Sequence, residues 1–256
     1  MNHEKMNRNP FKKELVVGNS RVRVDLKGGR LMEVVLNGVI VIGTYKCSDG
    51  KERNTHLCLP NFYKEGMPDY HLLQHGSARD IEYMISGLDN NLLTISGIIK
   101  PTEYYRSKLL VKQDFELVNG IFIHKIGVKN SGKETVPLNI GVHNYWNTPN
   151  GWQKATINSE NIANGIRENN TQTPMKINQK NIIYIPGMKN IIWELDGFSN
   201  CVLWTGRVEN DGKMKYDHKF MCAEPVRGSG DYFGSKESLI EPGQAVSVSQ
   251  MIYFQE

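Results

Sequence analysis

Three short segments of the chain each place a titratable side chain among apolar or aromatic neighbours. A partly desolvated imidazole or carboxylate has its pKa moved towards neutrality, as an acid–base catalyst requires. Taken singly, each residue has an ordinary explanation, because a lone histidine in a β protein is usually a hydrogen-bonded structural residue and a glutamate before a proline at a strand end is more often solvated than catalytic. The segments are Leu72–Asp80 around His75, Ile140–Asn147 around His143, and Phe220–Pro225 around Glu224.

Two other patterns resemble known sites but have the wrong context. Gly127–Lys133 matches most of a phosphate-binding P-loop, yet Glu134 stands where the motif needs Ser or Thr. A hairpin turn at 130–132 explains this segment better. His71 and His75 have the spacing of a zinc pair on a helix, but Pro68 and Gly76 argue against a helix there. We therefore predict neither a nucleotide site nor a metal, and no cofactor.

The elements that must position these residues are strands. Arg21–Leu26 alternates polar and apolar residues, and in the last segment Val246, Val248 and Ile252 share a face with Gln250. This period of two is typical of antiparallel sheets that bury one face. Asn-Gly, which readily supplies the positive φ angles of a two-residue hairpin, divides two such segments. Those dipeptides are Asn37-Gly38 and Asn119-Gly120, and Asp211-Gly212 repeats the pattern later.

These patterns predict an all-β fold, a large antiparallel β-sandwich. The best helical candidate, 159–169, is interrupted by Gly165. We expect a short flexible lead-in over residues 1–13 and a single domain over 14–256, a size that one all-β domain often reaches.

Charge and cysteine content limit the partners. The chain has 256 residues and a net charge of +4, with acids interleaved among the bases, so nucleic acid is not expected. No apolar run reaches the roughly 18 residues that a membrane helix needs. The four cysteines form no Cys-x-x-Cys pair, which favours reduced thiols in the cytoplasm. A small sugar or sugar phosphate is the expected partner, and the sequence leaves the oligomeric state open, a monomer included.

In order and spacing, the three segments resemble the motifs of the galactose mutarotase-like family, and most closely its hexose-6-phosphate mutarotase branch. His75-Gly-Ser-Ala-Arg79 resembles the branch's His-Gly-Phe-Ala-Arg. Gly141-Val-His-Asn-Tyr-Trp146 resembles Gly-x-His-x-Tyr-Phe, and Cys222-Ala-Glu-Pro225 resembles Cys-x-Glu-Pro. Cys201-Val-Leu-Trp204 resembles the tryptophan-bearing strand that precedes it. A weaker likeness extends from about Val22 to Phe254.

The resemblance implies an aldose 1-epimerase, which interconverts the α and β anomers of an aldose through the open chain. It makes Glu224 the base and His143 the acid, with His75 near the ring oxygen or assisting the acid. It also implies the family's supersandwich. An acid–base pair predicts a bell-shaped pH profile.

The expected substrate contacts depend partly on this resemblance. Arg79 either grips hydroxyls or a phosphate of the sugar, or pairs with an acid such as Asp80. Gln74 is a candidate for hydroxyl contacts. The aromatic residues that could stack against the sugar face are Trp146, Trp204 and Phe62, with Trp152 as a further candidate, although ordinary core packing is as good an explanation for each.

The sequence departs from the branch at Ser77, which replaces an aromatic residue, and at Trp146, which replaces a phenylalanine. The branch's phosphate-associated Arg-Gly-Gly has no clear equivalent; Arg53 and the segment 54–62 stand in its place. Phosphate specificity therefore stays open. A non-catalytic carbohydrate-binding relative on the same fold is the main alternative, and a polysaccharide lyase or hydrolase is the second.

Overall fold

The computed structural model describes residues 10–62, 70–167, 175–227 and 238–256. Two large antiparallel sheets make up the fold, as predicted. The first sheet has ten strands. They are β1 (Lys12–Val17), β2 (Ser20–Asp25), β3 (Arg30–Leu36), β4 (Val39–Ile42), β7 (His56–Cys58), β13 (Ile140–His143), β14 (Tyr145–Asn147), β17 (Met175–Lys176), β20 (Asn200–Trp204) and β23 (Phe220–Arg227).

The second sheet has nine strands, in the spatial order β16-β15-β18-β19-β25-β11-β10-β9-β8. They are β8 (Met84–Leu88), β9 (Leu92–Ile99), β10 (Leu109–Val118), β11 (Ile121–Asn130), β15 (Thr156–Ile157), β16 (Glu160–Asn161), β18 (Lys180–Tyr184), β19 (Ile191–Asp196) and β25 (Ala245–Phe254).

Three two-stranded pairs complete the described strands. They are β5 (Tyr45–Lys46) with β6 (Glu52–Arg53), β12 (Val136–Pro137) with β24 (Leu239–Ile240), and β21 (Arg207–Asn210) with β22 (Lys213–Tyr216). The one helix of the described residues, α1 (Ala163–Arg167), runs through Gly165. A side chain at Gly165 would come within 2.7 Å of Leu203, so this glycine allows close approach and does not interrupt the helix.

The predicted Asn-Gly hairpin turns are confirmed, whereas the hairpin predicted at 130–132 is wrong, because β11 pairs with β10 and β25 while the next strand, β12, pairs with β24. Asn37 and Gly38 join β3 to β4 with φ angles of 50° and 83°, and Asn119 and Gly120 join β10 to β11 with 48° and 78°. Two consecutive positive φ angles match the right-handed twist of the flanking strands. The predicted lead-in of 13 residues is too long, because β1 begins at Lys12 and pairs with β2. Residues 1–9 lie outside the described part of the chain.

The main core lies between the two sheets and draws on strands from both ends of the chain, from Leu15 in β1 to Ile252 in β25. Trp146 of the ten-stranded sheet packs edge-on against Trp193 of the nine-stranded sheet, with ring centroids 5.4 Å apart. The opposite face of the ten-stranded sheet carries two smaller buried clusters, one around Tyr145 and Cys222 and one around Cys58 and Phe62. The described part of the chain contains no helix with the length and hydrophobicity that crossing a membrane requires.

Candidate functional site

Strand pairing brings His143 and Glu224 together. Gly141 of β13 stands opposite Val226 of β23, and Tyr145 of β14 stands opposite Cys222. The register is the same on both sides of the gap between β13 and β14, so His143 faces Glu224 across the sheet. Their side chains meet with Nε2 and Oε1 3.4 Å apart, and only 8% and 2% of their side-chain surfaces are exposed.

The ladder is interrupted at this point. Pro225 follows Glu224 and has no N–H to donate to the strand opposite. The N–H of Asn144 donates instead to the carbonyl of Val142 over 2.9 Å, which closes a three-residue turn centred on His143. His143 and Tyr145 therefore share the outer face of the sheet, while Asn144 points into the main core.

Stacking holds the imidazole of His143. His56 of β7 is its partner on the neighbouring strand, and the two rings stack at 4.9 Å. Tyr145 stacks on the other face at 4.8 Å, and Trp204 of β20 meets the ring edge-on at 5.6 Å. The Nδ1 atom of His143 is buried and has no hydrogen-bond partner among the described residues. The ring is thus positioned by its backbone turn and by its neighbours' faces.

His75 approaches the pair from a loop. Its backbone is left-handed, with φ 62°, and Gly76 follows with φ 65°. A side chain at Gly76 would collide with the carbonyl oxygen of Leu59 at 2.2 Å, so the turn requires glycine at this position. The Nδ1 atom of His75 lies 2.9 Å from the carbonyl of Phe62 and donates to it. Its Nε2 is therefore the atom left to accept a hydrogen bond, and the ring meets His143 edge-on at 5.3 Å.

The contacts of Arg79 test its two predicted roles, as a substrate-binding residue or as the ion-pair partner of an acid such as Asp80. Its Nη2 donates to the carbonyl of Gln74 over 3.0 Å, and its Nη1 donates to Nε2 of His56 over 3.4 Å. His56 can accept because its Nδ1 donates to the carbonyl of Asn54 over 2.9 Å. Arg79 forms no ion pair with Asp80 or any other carboxylate among the described residues, so the predicted pairing with Asp80 is wrong.

Around these residues the fold leaves a cavity of about 480 Å³. Basic and hydrogen-bonding groups dominate its wall, so the cavity suits a small polar molecule that carries negative charge. The residues that line it are Arg30, Lys51, Glu52, Arg53, Asn54, His56, Phe62, Gln74, His75, Arg79, His143, Tyr145, Val202, Trp204, Arg207 and Glu224.

Burial sets the protonation of the site. Burial first, and then the neighbouring histidines and arginines, lowers the pKa of His143 well below its ordinary value. Burial raises the pKa of Glu224 well above its ordinary value. Both directions favour the uncharged forms, in which the carboxyl of Glu224 carries the proton and faces Nε2 of His143 at 3.4 Å. The facing pair thus holds one proton that can move between its two members.

The other two histidines stay neutral at physiological pH. Burial and the charge of Arg79 lower the pKa of His75 to about 4. Burial lowers the pKa of His56 to about 3, against the raising effect of its bond to Asn54. Both rings therefore keep a lone pair on Nε2.

The structure places Phe62, Gln74 and Trp204 in the cavity wall, but the prediction that Trp146 stacks on the substrate is wrong. Trp146 is fully buried in the main core, and its Nε1 donates to the carbonyl of Ala223 over 3.1 Å. Successive side chains of a strand alternate between the two faces of the sheet. Trp146 is an odd number of residues from His143 and therefore faces the other side. Trp152 is also buried and donates to the carbonyl of Asp217.

Sequence reasoning missed several wall residues as site residues, among them His56, Tyr145 and Arg30. His56 lies in the segment 54–62, where the only signal was a histidine next to the apolar Leu57 and Cys58. Arg30 starts β3, far from every motif, and reaches the site by donating to Asn54 Oδ1 and to the carbonyl of Arg79. Only the tertiary structure brings it there.

Among the described residues, one group could hold a metal ion. His143, Cys222 and Glu224 each offer one ligand atom, and these atoms lie within 4.8 Å of one another. Two of the three are the facing acid–base pair, and Arg53 and Arg79 bring positive charge to the same cavity. The surroundings oppose a divalent cation, and the absence of a metal from the reaction stays a prediction.

A second groove lies on the outer face of the nine-stranded sheet. It is larger, about 1110 Å³, and mainly apolar, with Met84, Ile98 and Leu110 exposed along it. No histidine lines it, so it offers no pair of a carboxyl and an imidazole. The chemistry therefore points to the smaller cavity.

Comparison with known proteins agrees with the motifs. The model of the aldose 1-epimerase family matches residues 46–185, more than half of the chain. The chain belongs to the aldose 1-epimerase family. The matched region contains His75 and His143, while Glu224 lies beyond it. Membership of the hexose-6-phosphate branch stays a prediction, and a comparison with curated proteins finds no match.

Solved structures share the fold of this aldose 1-epimerase family member. A candidate aldose 1-epimerase from Escherichia coli K12 is 14% identical, with a TM-score of 0.71 over 95% of this chain and 98% of that one. A galactose mutarotase-like protein from Lactobacillus casei is 12% identical, with a TM-score of 0.71 over 95% and 100%. A galactose mutarotase related enzyme from Lactobacillus acidophilus is 14% identical, with a TM-score of 0.67 over 96% and 97%. At these identities the likeness concerns the fold alone.

Proposed function

We propose that the protein is a mutarotase, an aldose 1-epimerase that interconverts the α and β anomers of an aldose or aldose 6-phosphate. The observation that carries the proposal is the buried contact of 3.4 Å between His143 Nε2 and Glu224 Oε1 at a polar cavity. A sugar-binding protein without catalysis has no need for an imidazole and a carboxyl that share one proton. This argues against the non-catalytic alternative.

The anomeric hydroxyl and the ring oxygen are bonded to the same carbon, so an acid and a base in contact reach both. Glu224 first passes its proton to His143. The carboxylate then removes the hydroxyl proton while the imidazolium protonates the ring oxygen; the bond from the anomeric carbon to the ring oxygen breaks, and a carbonyl forms. Rotation about the first carbon–carbon bond and the reverse transfers close the other anomer. Proton transfers alone balance the reaction, which requires no cofactor.

The step leaves Glu224 protonated and His143 neutral, the forms that burial favours. His75 has a different task. Its Nε2 accepts, so it contacts a sugar hydroxyl and not the ring oxygen, which has no proton to donate. Gln74, Phe62 and Trp204 are proposed to contact the rest of the sugar.

Arg30 and Arg79 support an anionic group on the substrate. Neither guanidinium lies within 4 Å of a carboxylate among the described residues, and both are fixed by hydrogen bonds to the surrounding protein. A preorganised guanidinium without a counter-ion binds a phosphate through charge-assisted hydrogen bonds. These contacts favour the aldose 6-phosphate over the free aldose.

The decisive experiment is polarimetry on freshly dissolved single anomers of glucose, galactose and glucose 6-phosphate. We expect the purified protein to accelerate the decay of optical rotation, and to do so in proportion to its concentration. Binding of these sugars without acceleration would favour the carbohydrate-binding alternative. Cleavage of an oligosaccharide would favour the hydrolase or lyase.

Replacement of Arg79 with glutamine tests the anionic substrate. We expect KM for the 6-phosphate to rise about 10- to 100-fold, because a hydrogen bond to a charged group contributes about 1.5–3 kcal/mol. KM for the free aldose should change far less. Arg23→Gln on β2, where Arg23 lies outside the cavity and near Glu14, is the matched control. An equal change of KM for both sugars would contradict a phosphate contact.

The pH profile of kcat/KM should be a bell with a broad top. His75 accepts only while neutral, so activity is present above its pKa of about 4 and is lost as the pH falls through that value. On the alkaline side, activity falls when the pair loses its single proton, which the raised pKa of Glu224 delays. Rates across pH 3–11 check this, with control incubations that measure recovery after return to pH 7. A steep loss between pH 7 and 6 would show that His75 is not held neutral.

We also propose that the chain from Lys12, where β1 begins, to Glu256 acts as one domain and that the protein works in the cytoplasm. The shared core supports the first, and the four free, buried cysteines support the second because thiols stay reduced there.

A further inference from the structure

A chain of buried polar side chains crosses the core directly beneath the turn at His143. Asn144 and Gln250 form two amide hydrogen bonds between the sheets, of 2.8 and 3.3 Å. The chain continues through further side chains of the nine-stranded sheet. Trp193 Nε1 donates to Gln250 Oε1, Gln250 Nε2 donates to His124 Nδ1, His124 Nε2 donates to Gln113 Oε1, and Gln113 Nε2 donates to the carbonyl of Gly29.

This series of hydrogen-bonded side chains is closed to solvent, and its polar groups find their hydrogen-bond partners within the protein. Asn144, Gln250 and His124 are at most 2% exposed. Because His124 accepts at Nδ1 and donates at Nε2, it is neutral, and burial accordingly lowers its pKa to about 3. These hydrogen-bonded side chains therefore neither take up nor release a proton at neutral pH.

The stability of the fold does not by itself explain why hydrogen-bonded polar side chains occupy an apolar core. Replacing both partners of a buried hydrogen bond by apolar groups of the same shape is nearly neutral or even stabilising. What apolar packing does not supply is a fixed orientation. The two hydrogen bonds between the side-chain amides of Asn144 and Gln250 set both the position and the rotation of Asn144 against β25.

We infer that Asn144 is a positioning residue that fixes the distance between His143 and Glu224; the inference rests on the proposed mutarotase function. Asn144 follows His143, and its N–H closes the turn on which the imidazole stands. Since Nδ1 of His143 has no partner among the described residues, no hydrogen bond at that atom corrects a displaced ring. Displacement of a reacting group by about 1 Å can cost about 100-fold in rate.

The test compares Asn144→Ala with Asn130→Ala. Asn130 of β11 is also fully buried, and its amide donates to the carbonyls of Glu134 and Ile240, away from the cavity. We expect both variants to lose thermal stability. Only Asn144→Ala should lower kcat, by about 10- to 100-fold, with KM changed less than threefold, because the cavity wall that binds sugar is unaltered.

A second variant and a second readout keep the inference testable. Gln250→Met removes both bonds to Asn144 with an unbranched side chain, and is used if Asn144→Ala does not fold. The ring NMR signals of His143 should shift in either variant and stay unchanged in Asn130→Ala. Unchanged signals with kcat at the wild-type value would overturn the inference.

The two proposals fail in different ways. Wild-type protein that does not accelerate mutarotation refutes the proposed function, whereas the His143 signals still report on positioning. An active wild type with a fully active Asn144→Ala variant refutes the positioning role alone.

Discussion

Replacing Glu224 with glutamine is expected to lower the kcat of mutarotation by about 10²–10⁴-fold, the usual contribution of one positioned acid or base. The amide cannot remove the anomeric proton. The fold should survive, because the amide has the shape of the protonated carboxyl that burial favours and takes the same place opposite His143. Stopped-flow polarimetry on one pure anomer measures the rate, and thermal unfolding checks the fold.

Glu52→Gln is the matched control for this variant. Glu52 lines the same cavity but is exposed, and it forms no ion pair with an imidazole among the described residues. Its replacement should leave kcat within about twofold, the range of a surface change. If Glu224→Gln works at the wild-type rate, Glu224 is not the base, and the proton must leave through His75 or another wall residue.

The second large effect is expected from His143→Phe. Phenylalanine keeps an aromatic ring between His56 and Tyr145, so the stack that positions this side chain is retained. It removes both ring nitrogens, so the ring oxygen loses its acid and Glu224 loses the partner that takes its proton. We expect kcat to fall by about 10²–10⁴-fold, with sugar binding largely preserved.

His71→Phe controls for the loss of an imidazole as such. His71 is exposed and stacks on Tyr104 at 3.6 Å, outside the cavity. The double variant Glu224→Gln with His143→Phe sharpens the result. Residues that act as a unit are not additive, so the double variant should be about as slow as the slower single variant. Multiplied losses would mean that the two residues act in separate steps.

Much of the fold could be predicted from local patterns. Alternation and the Asn-Gly turns identify antiparallel strands because a side-chain period of two and a positive φ are properties of short segments. The same alternation in the last strand placed Gln250 on the core face beside Val248 and Ile252, where the structure has all three buried. The start of β1 was missed because Lys12 and Lys13 carry no apolar signal.

The candidate site was predictable only in its motif residues. His75, His143 and Glu224 could be named because apolar neighbours flank each of them and because the motifs resemble a family. His56 and Arg30 do not lie in a motif that resembles the family. Trp146 was assigned to the site because of its place in a motif, although counting two residues at a time from His143 would have sent it to the core.

The sequence by itself therefore determined the antiparallel strands, their turns and the three titratable residues. The tertiary structure alone decided that His143 faces Glu224 at 3.4 Å, that Arg79 donates a hydrogen bond to His56 and that Asn144 donates one to Gln250. These contacts join residues 23 to 106 positions apart. Strand register, which depends on how the whole sheet buries one face, sets such distances, and no local pattern encodes it.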